Sequence, residues 1–244
     1  MNSLRETVRN VAEAGVKYLT VYAFSTENWG RPQAEVDALM ELICKGVEME
    51  SEELAKVGIR VRTIGDRSRF SEKVQASLEK IEQMTQAGEN MTFVLALNYS
   101  SRSEMTTAVQ NIAKRVAAGE IKAEEIDEKL ISESLYTSFM PDPDLIIRTS
   151  GECRLSNFLM WQASYSEFYF TPTLWPDFDK AELEKALEAY SARDRRYGLV
   201  KKGFIENEIH KQNIDSYRCD DYRLWCHCIC TAGYAFAKET GACL

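Results

Sequence analysis

No run of apolar residues in this 244-residue chain approaches the ~20 needed to cross a bilayer. Residues 1–14 carry charges throughout and read as the start of an amphipathic helix, not as a signal peptide. Positive charge is in deficit, with 30 Lys and Arg against 38 Asp and Glu and a formal net charge of -8. That balance disfavours a broad nucleic-acid surface, although local arginine pairs can still hold a small polyanion. A disulfide framework is missing as well. Of seven cysteines, five crowd between Cys219 and Cys243, which leaves Cys44 and Cys153 for everything before them. Such usage fits a reducing compartment, so a cytoplasmic protein is expected. Neither common glycine-rich phosphate loop occurs, and a nucleotide-binding α/β protein therefore finds no support. Internal repeats and low-complexity linkers are also lacking, and one α/β core is the simplest organisation.

What is present is an alternation of helical and strand patterns. Leu4, Val8, Val11 and Ala12 have helical spacing, and Gly15 closes that element. Tyr18–Phe24 reads as a buried strand. Val36, Leu39, Met40, Ile43 and Val47 mark one face of a long helix that reaches Val57, with Gly58 as its stop. Ile59–Ile64 is a short strand, and Ser71 caps a helix that ends before Gly88. A strand over Met91–Leu97 leads to a helix from about Ser103 to Ala118, then to short helices within Ala123–Phe139. Leu145–Ile147 and Glu167–Phe170 read as strands, and Asp179–Arg193 as a final helix. Five apolar strands alternating with helices predict an α/β fold, a mostly parallel sheet flanked by helices. Composition shifts near Lys201. A domain is expected over 1–200, and an irregular, Cys-rich tail over 201–244.

Two polar runs stand at strand-to-helix junctions, where open parallel sheets bind ligands. The first is Phe24-Ser25-Thr26-Glu27-Asn28-Trp29-Gly30-Arg31-Pro32. The second runs from Arg148 to Phe158, and its Arg148 and Arg154 flank a segment rich in Ser, Thr and Gly. A guanidinium fork matches phosphate oxygens, and hydroxyls and loop N–H groups add donors. Glu167 opens a further strand, and a carboxylate beside a diphosphate site commonly serves Mg2+. On spacing alone the same residues serve equally well as surface ion pairs and a solvated strand end. The Val36-to-Val47 stripe, taken alone, reads as ordinary core. In the tail, Cys226-His227-Cys228-Ile229-Cys230 has the residue types of a zinc site without the paired Cys-x-x-Cys spacing.

Together the two runs, with Asn98-Tyr99 before Arg102, Trp161-Gln162, Tyr165-Ser166-Glu167-Phe168-Tyr169-Phe170 and Leu174-Trp175-Pro176-Asp177-Phe178, resemble the cis-prenyltransferases of the undecaprenyl diphosphate synthase type. The likeness is dense from Ser3 to Gly198. It implies head-to-tail condensation of isopentenyl diphosphate with an allylic diphosphate, giving a long polyprenyl diphosphate for a cell-wall lipid carrier. The resemblance implies that Arg148, Arg154 and Ser156 hold the isopentenyl diphosphate, that Glu167 takes part in Mg2+ binding, and that Arg196 and Gly198 reach a diphosphate near a homodimer contact. It likewise implies that Ser25, Asn28, Trp29 and Arg31 lie over the allylic substrate, with Asn28 and Arg31 the catalytic pair. Glu35 matches an acidic position of the family, and equally reads as a helix N-terminal carboxylate. The apolar stripe would line a channel for the growing chain, and membrane contact would come through the lipid product alone.

Two departures set further expectations. The family opens on a strand and an Asp-Gly-Asn-Gly-Arg loop whose Asp holds Mg2+, and no Asp-Gly-x-Gly run occurs in these 244 residues. The chain is therefore expected to be an inactive, poorly soluble, imperfectly bounded fragment, with the strand edges beside the missing first strand unpaired. The alternative is a non-catalytic partner subunit, against which stand the retained Asn28, Arg31 and Glu167. Ser100-Ser101 replaces the family's usual Gly-Gly, and costs stability if that turn needs positive φ. Cys153 stands where Gln is common.

Overall fold

The computed structural model describes residues 2–195 and the backbone of 225–229. Its strands are β1 (Tyr18–Ser25), β2 (Ile59–Ile64), β3 (Met91–Tyr99), β4 (Leu145–Arg148), β5 (Glu167–Phe170) and β6 (Trp225–Ile229). They form one sheet in the order β2-β3-β1-β6-β4-β5, and every pairing is parallel. The helices are α1 (Asn2–Glu13), α2 (Gln33–Lys56), α3 (Glu72–Met84), α4 (Ser101–Ala117), α5 (Glu128–Glu133) and α6 (Lys180–Ser191).

Local chemistry sets these boundaries. Gly15 and Gly58 take positive φ where α1 and α2 end, the conformation glycine adopts without a Cβ penalty. The hydroxyl of Ser71 accepts from Val74 N–H at the start of α3, and Asp127 and Asp179 cap α5 and α6 in the same way. Strands β1 and β3 are buried on both faces, which is why they read as nearly continuous apolar runs. One core cluster joins β1, β2 and β3 to α1 and α6 through residues such as Val11, Leu19, Val61, Phe93 and Leu183. A second joins Tyr22, Ile64, Tyr99 and Ile146 to Phe158 and Leu159. The β1–β3 register shifts around Ala23. Beyond that irregularity Phe24 packs with Val36, Leu39 and Phe70 beneath the first polar run.

The structure differs from the sequence reading in the number of strands. Five were expected, with an irregular tail. Instead Trp225–Ile229 forms a strand in the middle of the sheet, with Tyr18 beside Trp225 on one flank and Leu145 beside Cys226 on the other. The segment is short, apolar and free of Pro and Gly, so it can ladder on both sides. The inner edges of β1 and β4, expected to stand unpaired, are paired. Residues 201–224 and 230–244 lie outside the described residues, as do the side chains a tail metal site would use.

The two outer edges of the sheet are treated differently. On β2, Val61 N–H donates to Thr85 Oγ1 at 2.9 Å and Thr63 N–H to Glu82 Oε1 at 2.8 Å, so α3 caps that edge with side chains. On β5 the strand is half-buried and ends in an exposed Phe170.

Candidate active site

The polar runs meet at the C-terminal ends of β1, β3 and β4. Ser25 ends β1, and its N–H donates to Asn28 Oδ1 at 2.8 Å, which folds Thr26–Gly30 into one tight turn. Trp29 leaves that turn toward β3, and its indole N–H donates to Asn98 Oδ1 at 2.7 Å. The Trp29 ring stands 5.1 Å edge-on from Phe24, and the Arg69 guanidinium lies 4.4 Å above it. Asn98 is buried, and its amide also donates to Asp66 C=O at 2.7 Å. That contact depends on Gly65, whose φ is +112 and where a Cβ would sit 2.1 Å from Leu97 C=O. Arg31 follows the turn with its N–H on Asn28 C=O at 3.0 Å.

Arg148 ends β4 as a buried guanidinium, while Arg154 is exposed and ion-paired to Glu152. Between and beyond them the backbone is unusual. Ser150, Ser156, Asn157 and Leu159 all have positive φ, and Asn98 is the one other such non-glycine among the described residues. The cost is of order 1–2 kcal/mol at the serines and leucine and less at the asparagines; Asn98 lies at the end of β3, and the other four lie in the segment that follows β4. The loop is held in this shape by Ser150 N–H on Thr173 C=O at 2.8 Å and Gly151 N–H on Thr171 C=O at 2.9 Å. Ser101 clamps its far side, donating N–H to Asn157 C=O at 2.8 Å and accepting Met160 N–H at 2.9 Å. Ser100 has φ -153, and its hydroxyl accepts from Ser103 N–H to cap α4. The serine pair thus avoids the φ cost expected of it and fastens α4 to the loop; the positive φ of this turn belongs to Asn98.

Residues to which the sequence reading gave no role tie the site together. Asn157 Nδ2 donates to Glu27 Oε1 at 3.0 Å and joins the two polar runs across 130 residues. Burial pushes the Glu27 carboxyl up, but hydrogen bonds from Asn157, its own backbone, Ser25 and Thr26 outweigh that and hold it below the ordinary value. Beneath the junction, buried Glu104 accepts from Tyr99 O–H at 2.6 Å, Tyr136 N–H at 2.9 Å and Gln162 Nε2 at 3.1 Å. Burial raises the Glu104 carboxyl, against the pull of those donors. The signal for Glu27–Asn157 was their presence inside the two runs; Glu104 offered no signal beyond a carboxylate in a helical segment.

Glu167 stands apart. It opens β5 in register with Leu145, three positions and about 10 Å along the strand from Arg148. Its carboxylate pairs with Arg193 at 3.2 Å. Among the described residues no group of three or more His, Cys, Asp or Glu could hold a metal ion. One carboxylate makes no closed cage, but it suits Mg2+ carried largely by substrate phosphates. Arg196 and Gly198 lie outside the described residues.

Next to the polar junction lies an apolar cavity of about 650 Å3, between α1, α2 and the sheet. Ala23, Leu39 and Leu97 line the end near the site; Gly15, Lys17 and Val57 line the other. The apolar stripe of α2 divides. Leu39, Ile43 and Val47 line the cavity, whereas Val36 and Met40 pack around Phe24 and Phe70.

An arginine loop beside a long apolar cavity suits an amphiphile with a charged head. The family model described as putative undecaprenyl diphosphate synthase matches residues 1–198. This chain belongs to that family. It is 50% identical over 200 residues to an isoprenyl transferase of Agrobacterium fabrum, covering 82% of this chain and 81% of that one. It is 45% identical over 198 residues to a ditrans,polycis-undecaprenyl-diphosphate synthase of Xanthomonas axonopodis pv. citri, described as (2E,6E)-farnesyl-diphosphate specific, covering 81% and 77%. Among solved structures, a lavandulyl diphosphate synthase from Lavandula x intermedia in complex with dimethylallyl diphosphate superposes with a TM-score of 0.79 at 37% identity, over 81% and 85% of the chains. A probable undecaprenyl diphosphate synthase from Campylobacter jejuni gives 0.72 at 34%, over 81% and 90%. The chain is thus a prenyl transferase of the undecaprenyl diphosphate synthase type, with that family's parallel α/β fold. No helix among the described residues is long and apolar enough to cross a membrane.

Proposed function

We propose that this chain binds isopentenyl diphosphate at the loop from Arg148 to Asn157, and an allylic diphosphate beside the turn from Ser25 to Arg31. The observation that carries the reading is the apolar cavity that begins at Ala23 and Leu97, directly below that junction. The name of the Xanthomonas relative supports farnesyl diphosphate as the allylic substrate. In the reaction the allylic carbon loses its diphosphate, the double bond of isopentenyl diphosphate attacks that carbon, and a proton leaves to set a new cis double bond. The protein's share is positioning and charge. Arg148 and Arg154 neutralise diphosphate oxygens, Ser156 adds a hydroxyl, and Trp29 closes over the allylic chain. Asn28 holds the turn, and Arg31 offers a second charge to the leaving group. Mg2+, when bound on the diphosphates, would supply further neutralisation; for Glu167 to serve it, that carboxylate would have to leave Arg193 and reach up from the start of β5. Arg196 and Gly198 would reach a diphosphate near a homodimer contact. The working place is the cytoplasmic face of a membrane, met through the lipid product; the free thiols of Cys44 and Cys153 accord with a reducing interior.

Because the 244 residues contain no Asp-Gly-x-Gly run, binding without turnover is expected of them. Titration calorimetry with isopentenyl diphosphate tests this. Arg148→Ala and Arg154→Ala should each weaken binding about tenfold or more, as loss of a charge-assisted contact does, and product assays on the same purified chain should show none. Unchanged affinity in both variants sinks the binding site, and Mg2+-dependent product sinks the inactive reading. The same missing run favours a second reading, a non-catalytic partner subunit, which would co-purify with an active homologue.

A further inference from the structure

The two helices that wall the cavity are anchored on different parts of the fold. Helix α1 packs on α6 and on the turn at Trp175–Asp177, where Ser3 Oγ donates to Pro176 C=O at 3.1 Å. Helix α2 packs on α3. The cavity lies between them. Among the described residues one ion pair joins α1 to α2. Arg5 Nε lies 3.0 and 2.8 Å from the two oxygens of Glu50, and Arg5 Nη2 completes a forked contact with Oε1. Both side chains line the cavity. Glu50 stands 17 residues beyond the first residue of α2, about 26 Å along the helix from the end nearest the site.

We propose that Arg5–Glu50 is a strap across the cavity, and that it determines how long a prenyl chain the cavity accepts. The inference rests on the reading of the cavity as a prenyl site. As a stabilising contact the pair has little to offer, because the Arg5 side chain is 44% exposed and exposed ion pairs contribute little. Its position matters more. An apolar chain growing from the Ala23–Leu97 end passes Leu39, Ile43 and Val47 and then meets the pair. To continue it must either strip water from two charges or part them, and both oppose further burial of apolar carbon. Glu53, which also lines the cavity, adds to the field that holds Arg5 in place. Short chains end before the strap and do not feel it.

The test measures binding by the 244-residue chain and does not need turnover. Geraniol, farnesol, geranylgeraniol and a long polyprenol are used to displace an anilinonaphthalene sulfonate probe. In the natural chain, affinity should rise with each added isoprene unit and then level off. In Arg5→Ala and Glu50→Ala it should go on rising, so that the long polyprenol binds about tenfold tighter, as two further buried methylenes would give, with farnesol unchanged. The double variant Arg5→Glu with Glu50→Arg rebuilds the pair and should restore the plateau; circular dichroism confirms the fold of each. A plateau at the same length in the alanine variants overturns the strap while leaving the cavity reading intact. Failure of the natural chain to bind any of the four alcohols overturns the cavity reading, and the strap with it.

Discussion

Glu104 shows what single residues do beneath this site. A carboxylate that is 1% exposed is costly to ionise, yet it accepts from Tyr99, Tyr136 and Gln162 and so fixes the end of β3, the segment after α5 and the turn that follows the Arg148–Asn157 loop at one point. Burial, the dominant influence, raises its pKa above the ordinary 4.5. The folded state therefore holds this proton more tightly than the unfolded chain. The contribution of Glu104 to stability is fully present below the ordinary value and is lost as pH rises through the raised one. Replacing Glu104 by Ala leaves three donors without their acceptor and should cost about 3 kcal/mol. Glu104→Gln keeps an acceptor oxygen and should cost less, while flattening stability against pH across the carboxylate range. Urea unfolding of both variants from acid to neutral pH checks this, and a natural slope retained in Glu104→Gln would remove the group from the account. Glu27 has the opposite sign. Its carboxyl is held low, so what its contact with Asn157 contributes is present at neutral pH and is lost as pH falls through the lowered value.

At the scale of elements, most of the fold was legible because periodicity and punctuation agreed. The strands Ile59–Ile64 and Glu167–Phe170 were bounded correctly, and Ser71, Gly15 and Gly58 marked the helix ends where they lie. The two site loops were legible as polar runs after apolar strands. What joins them was not, because the Glu27–Asn157 hydrogen bond and the positive φ of Ser156 and Asn157 arise from tertiary packing that no local pattern encodes. Glu167 was expected beside the diphosphate loop and instead meets Arg193, since strand register decides its height. The middle strand escaped for another reason. Trp225–Ile229 lacks alternation and follows residues whose sequence shows no strand or helix period, and its pairing becomes favourable once β1 and β4 present two parallel edges. This element carries its own prediction. Proline at Cys228 removes a donor from a strand laddered on both sides, so Cys228→Pro should destabilise the sheet by about 3 kcal/mol or more. Hydrogen exchange should show the loss in β1 and β4 together. Unchanged protection in both would mean that the segment does not complete the sheet.

For the whole molecule the two sheet edges differ in what they invite. At β2 the outward N–H groups of Val61 and Thr63 are taken by Thr85 and Glu82, and Arg62 lies with its guanidinium 4.4 Å over Phe139, so that edge is closed to another strand or chain. At the β5 edge, Tyr165, Phe170 and Leu174 are 71%, 42% and 36% exposed, and Phe168 and Phe170 stack at 6.0 Å as a flat aromatic surface. Neighbouring exposed aromatics on an outer edge are what a symmetric interface buries. The homodimer proposed above is therefore expected to form through β5. A carboxylate at its centre would be buried without a partner, so Phe170→Glu should shift the chain from dimer to monomer in light scattering at micromolar concentration. Val109, 60% exposed on α4, provides the control, and Val109→Glu should leave the mass unchanged. A natural chain that is monomeric, or a Phe170→Glu variant that stays dimeric, would take the interface away from this edge. If the dimer is lost while affinity for isopentenyl diphosphate is kept, the diphosphate site is complete within one chain; loss of both together would mean that the partner contributes to it.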